Sequence, residues 1–326
     1  AERQTMISVI VTTYNQEKTI ARTLDSILRQ RCHLPVEIII GEDCSTDHTR
    51  EICQEYAARY PQIRLFCNDH NKGIVDNYFD CLLACQGDYI ADCAGDDFWI
   101  DDQKLEKASR LMEADSSITL VHTGWHYYDE TTKQESASPP QPFPAPLTDG
   151  KKMLEAILTQ TRMPVIHLCT ALYRAETIRR EYEKNTDLFR EGACEDLPIT
   201  FHMALAGNIA YIPDITLCYS QGPETISASK DERKLFAFYR NVTMQSFSLS
   251  GKYNIESDIT KDFFRRRVIA LLMHAFRAYD PQLFHEAVAC QKLWAVKTTY
   301  GIRMRRLVLQ YPPLWCLMLR LRKNLR

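Results

Sequence analysis

Ile7-Ser8-Val9-Ile10-Val11-Thr12-Thr13-Tyr14-Asn15 is the stretch that decides the fold class. Its first five residues are short and mostly β-branched, and its last four are polar and turn-forming, so it reads as a buried strand running into a loop. Downstream, Ile20, Leu24, Ile27 and Leu28 recur at helical spacing, and Val36-Glu37-Ile38-Ile39-Ile40 supplies a second buried strand. Two buried strands joined by a helix form the β-α-β unit of a parallel sheet. The alternation continues through a helix with Ile52, Tyr56 and Ala57, the strand Ile63-Arg64-Leu65-Phe66, a helix after Asn71-Lys72-Gly73 and the strand Tyr89-Ile90-Ala91. The expectation is an α/β fold with a Rossmann-like, mostly parallel sheet flanked by helices. Its strands end at Thr13, at Asp43 and between Asp92 and Asp97, the edge where such sheets bind ligands.

Farther along, a helix carries Leu105, Ala108, Leu111 and Met112, and Ile118-Thr119-Leu120-Val121 reads as a strand. Five prolines between Pro139 and Pro146 mark a loop that stays out of any central sheet. Ile209–Ile212 and Ile215–Tyr219 read as two short strands split by Pro213-Asp214, and from Asp231 onward the pattern is helical. The organisation expected is a first domain over residues 1–229, with one half to 115 and a second half beyond it. A helical region follows over 230–326.

Composition excludes several classes. With 45% hydrophobic and 25% charged residues the chain is an ordinary globular one, and a net charge of −2 gives no pull toward nucleic acid. The 12 cysteines show no paired CxxC spacing, so reduced thiols are expected rather than a zinc or disulfide framework. No apolar run reaches the roughly 18 to 20 residues that a membrane span needs. A cytoplasmic protein, peripheral at the inner face of the cell membrane at most, is the expectation.

Three acidic pairs fall at loop positions: Glu42-Asp43, Asp96-Asp97 and Glu195-Asp196. Adjacent carboxylates after a strand suit a hard divalent cation held on a phosphate, although Asp-Asp is also ordinary turn and helix-cap chemistry. Neither GxGxxG nor a Walker loop follows a strand, which disfavours hydride transfer and NTP hydrolysis and favours a nucleotide-diphosphate donor.

Taken in order, Val9 to Asn15, Ile40-Gly41-Glu42-Asp43-Cys44-Ser45-Thr46-Asp47, Asn71-Lys72-Gly73, Gly95-Asp96-Asp97-Phe98-Trp99 and Glu195-Asp196 resemble the family 2 inverting glycosyltransferases. The resemblance is dense from Ile7 to about Glu113, thinner to Tyr219 and absent beyond. It implies the GT-A fold and transfer of a sugar from a nucleotide-sugar donor, UDP-linked, to a saccharide or polyprenyl-linked acceptor with Mn2+ or Mg2+. It further implies that Asp43 accepts a hydrogen bond from the donor base and that Thr13, Tyr14, Glu17 and Lys72 line the nucleotide loops. Asp96 then lies near the ribose, Asp97 ligates the metal, Asp196 is the general base, and Glu195 orients the base or the acceptor. Where many members carry an Arg-x-His element, this chain reads Tyr219-Ser220-Gln221-Gly222-Pro223. Ser227, Ser229 and Lys230 are candidates to replace its diphosphate contacts.

Two other readings stay open: a catalytically silent nucleotide-sugar-binding or scaffold protein, and a sugar-1-phosphate nucleotidyltransferase. The latter needs a glycine-rich loop after the first strand, where this chain has Thr12-Thr13-Tyr14-Asn15. The segment from Tyr300 mixes basic and apolar residues and has no acidic one, as does the chain beyond Glu286. It reads as an amphipathic segment on an anionic membrane or as a helix packed on the catalytic domain with a basic outer face.

Overall fold

The computed structural model describes residues 4–160, 164–222 and 231–324. The chain divides into two compact units, Ala1–Gly222 and Pro223–Arg326.

The first unit opens with β1 (Ile7–Thr13), α1 (Ile20–Leu28), β2 (Val36–Glu42), α2 (Thr49–Arg59), β3 (Ile63–Cys67), α3 (Ile74–Ala84) and β4 (Tyr89–Asp92). Every residue of β4 and nearly every residue of β1 and β2 is buried, as β-branched strands covered on both faces require. These strands pair in parallel in the order β3-β2-β1-β4. The register sets Thr13 beside Glu42 and Ile10 beside Asp92, so the polar ends of the strands emerge at one edge.

Beyond β4 the sheet is mixed. The chain continues through β5 (Phe98–Trp99), α4 (Lys104–Ala114), β6 (Ile118–Asp129), β7 (Gln134–Ala137), β8 (Leu147–Asp149), α5 (Leu154–Leu158), β9 (Leu172–Arg174), α6 (Ala175–Lys184), α7 (Thr186–Arg190), α8 (Asp196–Ala206) and β10 (Asn208–Gln221). The order runs on as β4-β9-β6-β10-β5. β9 is antiparallel to both its neighbours, β10 is parallel to β6, and β5 is antiparallel to β10. The parallel expectation therefore holds for the first four strands and gives way to a mixed sheet in the second half. The proline segment stays outside the sheet path, between β7 and β8, as expected.

The two strands expected around Pro213-Asp214 are one. β10 runs through them and absorbs the interruption as register shifts against β6 between Ile212 and Leu217. Gly124 on β6 makes the space: a side chain there would meet the Ile215 Cδ1 at 2.7 Å. A break in local propensity is thus bridged by pairing with a neighbour that the sequence does not identify.

The second unit is helical, with α9 (Glu232–Lys252), α10 (Asp258–Ala278), α11 (Pro281–Leu293), α12 (Tyr300–Gln310) and α13 (Pro312–Asn324). Its helix starts are written in the sequence: Asp231, Ser257, Asp280 and Thr299 each accept a backbone N–H of the following turn. Phe236, Phe263, Leu271, Phe284, Trp294 and Trp315 are among the residues of its own core. All 12 cysteines are free thiols.

Candidate active site

The end of β1 meets the turn between β4 and β5. Gly95 donates its N–H to the Thr12 carbonyl at 3.1 Å, and a side chain at Gly95 would come within 2.3 Å of the Gln16 amide oxygen and 2.8 Å of the Thr13 hydroxyl. Glycine at this position is what lets the Asp96-Asp97 turn lie against the first loop. Thr13 is buried and donates to Gln16 at 2.7 Å, whereas Tyr14 is exposed beside them.

The other predicted nucleotide residues have definite partners. Asp43 is buried and accepts from the Lys72 N–H (2.8 Å), the Gly73 N–H (2.9 Å) and the Asn68 side-chain amide (2.9 Å), so it fixes the loop that follows β3. The Lys72 ammonium turns to Asp80 on α3 at 2.9 Å. Glu17 accepts the His48 N–H at 2.9 Å, one residue before α2, and thereby ties the first loop to the second. Glu42 is buried, paired with Arg50 and bonded to the Ser45 N–H.

Asp97 is only 1% exposed, and its Oδ1 accepts the Ser220 N–H at 2.9 Å. Around this pair lies a clamp that sequence reading missed. Arg22 of α1 donates to the Asp96 carbonyl at 2.9 Å and pairs with Glu130, and it stacks over the Phe98 ring at 4.1 Å. The Ser220 hydroxyl donates to the Asp96 carbonyl at 2.6 Å, so the residue at the start of the departed Arg-x-His segment holds the carboxylate turn instead. Ser227, Ser229 and Lys230 lie outside the described residues.

Glu195 is the N-cap residue of α8 and Asp196 lies in its first turn, and each carboxyl acts on the titration of the other. Burial lifts the Asp196 carboxyl to about 6, and burial together with the Asp196 charge pushes Glu195 well above the usual range. The two carboxyls therefore hold a proton between them near neutrality. Asp92 at the end of β4 lies within electrostatic reach of Asp196; burial raises it to about 7, although Tyr78 donates to it at 2.5 Å. Its second oxygen has no hydrogen-bond partner, nor has one oxygen of Glu195. Burial raises the Cys169 thiol and the Tyr219 phenol, and the charges of Asp97 and Asp196 raise both further. Lys104, fully buried with its ammonium 4.4 Å from the Trp99 ring, places a positive charge near Asp92. The nearby His167 is buried between Trp125 and Tyr219, and desolvation lowers it to about 4, so it is neutral. His122 and His202 are likewise packed in the interior.

The profile described as Glycosyl transferase family 2 matches residues 8–180, just over half of the chain. The chain belongs to glycosyl transferase family 2. Among similar proteins is an uncharacterized protein of Mycobacterium tuberculosis, Rv1520, 31% identical over 237 residues, which are 71% of this chain and 63% of that protein. The chain therefore spans less than two thirds of the length of this relative.

Two solved structures share the fold. S. aureus TarS 1–349 in complex with UDP superposes with a TM-score of 0.56 at 17% identity, over 94% of this chain and 91% of that one. The mannosyltransferase PcManGT from Pyrobaculum calidifontis, in complex with GDP-Man and Mn2+, gives 0.52 at 16% identity over 97% and 84%. The GT-A architecture, a mixed sheet flanked by helices with helices following it, is thereby established for this family 2 member.

The chemistry of Asp96 and Asp97 fits a hard divalent cation. Both carboxyls are raised, first by burial, with Glu130 acting further on Asp96 and Asp96 on Asp97. Such crowded carboxylates gain most from a bound cation. A second group of donor side chains brings Cys32 and His33, which precede β2, together with Glu106 of α4. There the His33 ring is already shared by Glu106 at 2.6 Å and Glu113 at 3.1 Å, which makes it an ion-paired surface histidine.

Proposed function

We propose that this family 2 protein is an inverting hexosyl- or hexosaminyltransferase. It takes a nucleoside-diphosphate sugar, UDP-linked, and glycosylates a saccharide or lipid-linked saccharide, as in surface polysaccharide synthesis. The observation that carries this reading is a pair of carboxylate centres in one unit, the Asp96–Asp97 turn held by Arg22 and Ser220 and the Glu195–Asp196 pair at the start of α8. A base on one side and a carboxylate turn suited to a diphosphate-bound metal on the other are the two requirements of a single displacement.

In this reading Asp196, raised by burial to about 6, removes the proton from the acceptor hydroxyl as its oxygen bonds to the anomeric carbon. The bond from that carbon to the donor diphosphate breaks, the electron pair leaves with the nucleotide, and the configuration inverts. Glu195 keeps the shared proton and orients Asp196. Asp97, with Asp96 beside it, would hold Mn2+ or Mg2+, which supplies positive charge to the departing diphosphate. Arg22 and Ser220 fix the carbonyl of Asp96 and so aim the turn. Asp43 and Glu17 act on the donor by ordering the nucleotide loops, and Thr13, Tyr14 and Lys72 complete the wall of that subsite.

Donor binding is tested by thermal unfolding with UDP or GDP, each with and without Mn2+. A ligand at about one hundred times its Kd stabilises by roughly 2.7 kcal/mol, so UDP with Mn2+ should give a clear upward shift that GDP does not. Failure of every nucleotide to shift the midpoint would remove the donor assignment. Turnover supplies the second test. Because Asp196 must be ionised to act, kcat is expected to fall as pH drops through the apparent pKa of the pair, near 6, and to level off above it. A rate that is flat from below pH 5 to pH 8 would contradict the base.

A further inference from the structure

The C-terminal unit carries apolar side chains on the outside of its last two helices. Along α12 and at its C-cap, Tyr300, Met304, Leu307 and Tyr311 recur every three to four residues, and all are exposed, Tyr300 by 79%. Along α13, Leu317, Met318 and Leu321 are exposed by 43–53%. The opposite faces are already satisfied: Ile302, Leu309 and Trp315 are buried in the helical core, and the Trp315 indole N–H donates to the Phe276 carbonyl at 2.9 Å. The inner faces therefore pack into the core of the C-terminal unit itself, and the outer face is left apolar as well as basic.

Charge defines what covers that face. Arg303 and Arg320 are exposed beside the apolar stripes, and no carboxylate pairs with either among the described residues. No acidic residue follows Glu286 in the sequence. Among the described residues no helix is long and apolar enough to cross a membrane. Exposed aromatic and aliphatic residues flanked by unpaired arginines are the composition of a helix lying in a lipid headgroup layer, where the apolar stripe enters the acyl boundary and the cations meet anionic phosphates. A second copy of the chain would bring like charges together at the same surface, which disfavours self-association.

We propose that the outer face of α12 and α13 is a docking surface for an anionic lipid bilayer. It rests on the proposed function only in that a lipid-linked acceptor would be held at the same boundary. Each arginine near such a surface strengthens partitioning roughly fivefold, and the bound state weakens as salt rises.

The test is flotation of the full chain, without donor or metal, on phosphatidylcholine vesicles and on vesicles of phosphatidylcholine mixed with phosphatidylglycerol. Binding is expected on the mixed vesicles and not on phosphatidylcholine alone. The double variant Leu307→Ser/Leu317→Ser should lose at least about tenfold in partitioning, and Arg303→Gln/Arg320→Gln a comparable amount, with unchanged circular dichroism. Four results would overturn the proposal: no wild-type binding to mixed vesicles, equal binding to both vesicle types, full binding by both variants, or a wild-type dimer that the leucine variant dissociates. None of these outcomes depends on nucleotide binding or transfer, so the donor chemistry stands or falls separately.

Discussion

Asp196→Asn is expected to fold as the wild type does and to lose glycosyl transfer by about 10²- to 10⁴-fold, the usual contribution of a positioned general base. The side chain is nearly isosteric, and Asp196 lies in a site where burial already disfavours its charge. Replacing it with a neutral amide thus removes an electrostatic cost and leaves the packing of α8 intact. Initial rates at saturating donor, measured beside the thermal midpoint and the UDP-induced shift, separate the roles: the rate should collapse while the shift persists. Full activity in this variant would remove Asp196 as the base. Glu195→Gln serves as the comparison. A residue that only orients the base should lose less in kcat and should displace the acid limb of the pH profile.

Asp97→Asn should abolish the Mn2+-dependent part of UDP binding and reduce transfer by at least about a hundredfold. An amide oxygen can still accept the Ser220 N–H, so the contact between the turn and the end of β10 survives and the fold should hold. The measurement is the thermal shift with UDP alone against UDP with Mn2+. The wild type is expected to show a larger shift with the ion, and the variant the same shift with and without it. An unchanged metal effect would move the ion away from Asp97. Asp96→Asn, at a half-buried residue whose carbonyl carries the structural bonds from Arg22 and Ser220, should raise KM for the donor more than it lowers kcat.

Some of this site was legible because its signals are local. A β-branched run that ends in Thr12-Thr13-Tyr14-Asn15 states a strand and its exit, and Glu195-Asp196 ahead of Leu197 and Pro198 states a helix start. The residues that were missed act across long chain separations. Nothing in the pattern of α1 marks Arg22 as the partner of Asp96 and Glu130, because a charge on a helix is ordinarily a solvated one. Lys104 opens α4 in a position that ought to be exposed, yet it is fully buried against Trp99. Asp92 did leave a trace: a carboxylate closing the buried strand Tyr89-Ile90-Ala91 is out of place unless it has partners, and Tyr78 is its hydrogen-bond donor. The intramolecular partners of Lys72 and Glu17, which are Asp80 and the His48 N–H, were likewise not legible in the sequence.

The sequence by itself determined the alternation of strands and helices, the parallel first half of the sheet, the polar strand ends and the family. The first three follow from apolar periodicity and turn chemistry within a few consecutive residues, and the family from the resemblance of several motifs taken in order along the chain. The tertiary structure alone decided the antiparallel insertion of β9, the continuity of β10 through Pro213-Asp214 and the bond that ties Ser220 near the end of β10 to Asp97. It also decided that the acidic pairs differ: Glu42 is neutralised by Arg50, whereas Asp96-Asp97 and Glu195-Asp196 are crowded and raised. The physical reason is common to all of these. Strand pairing, burial and the field at a carboxylate depend on which distant residues pack beside it, and the sequence read locally does not contain that information.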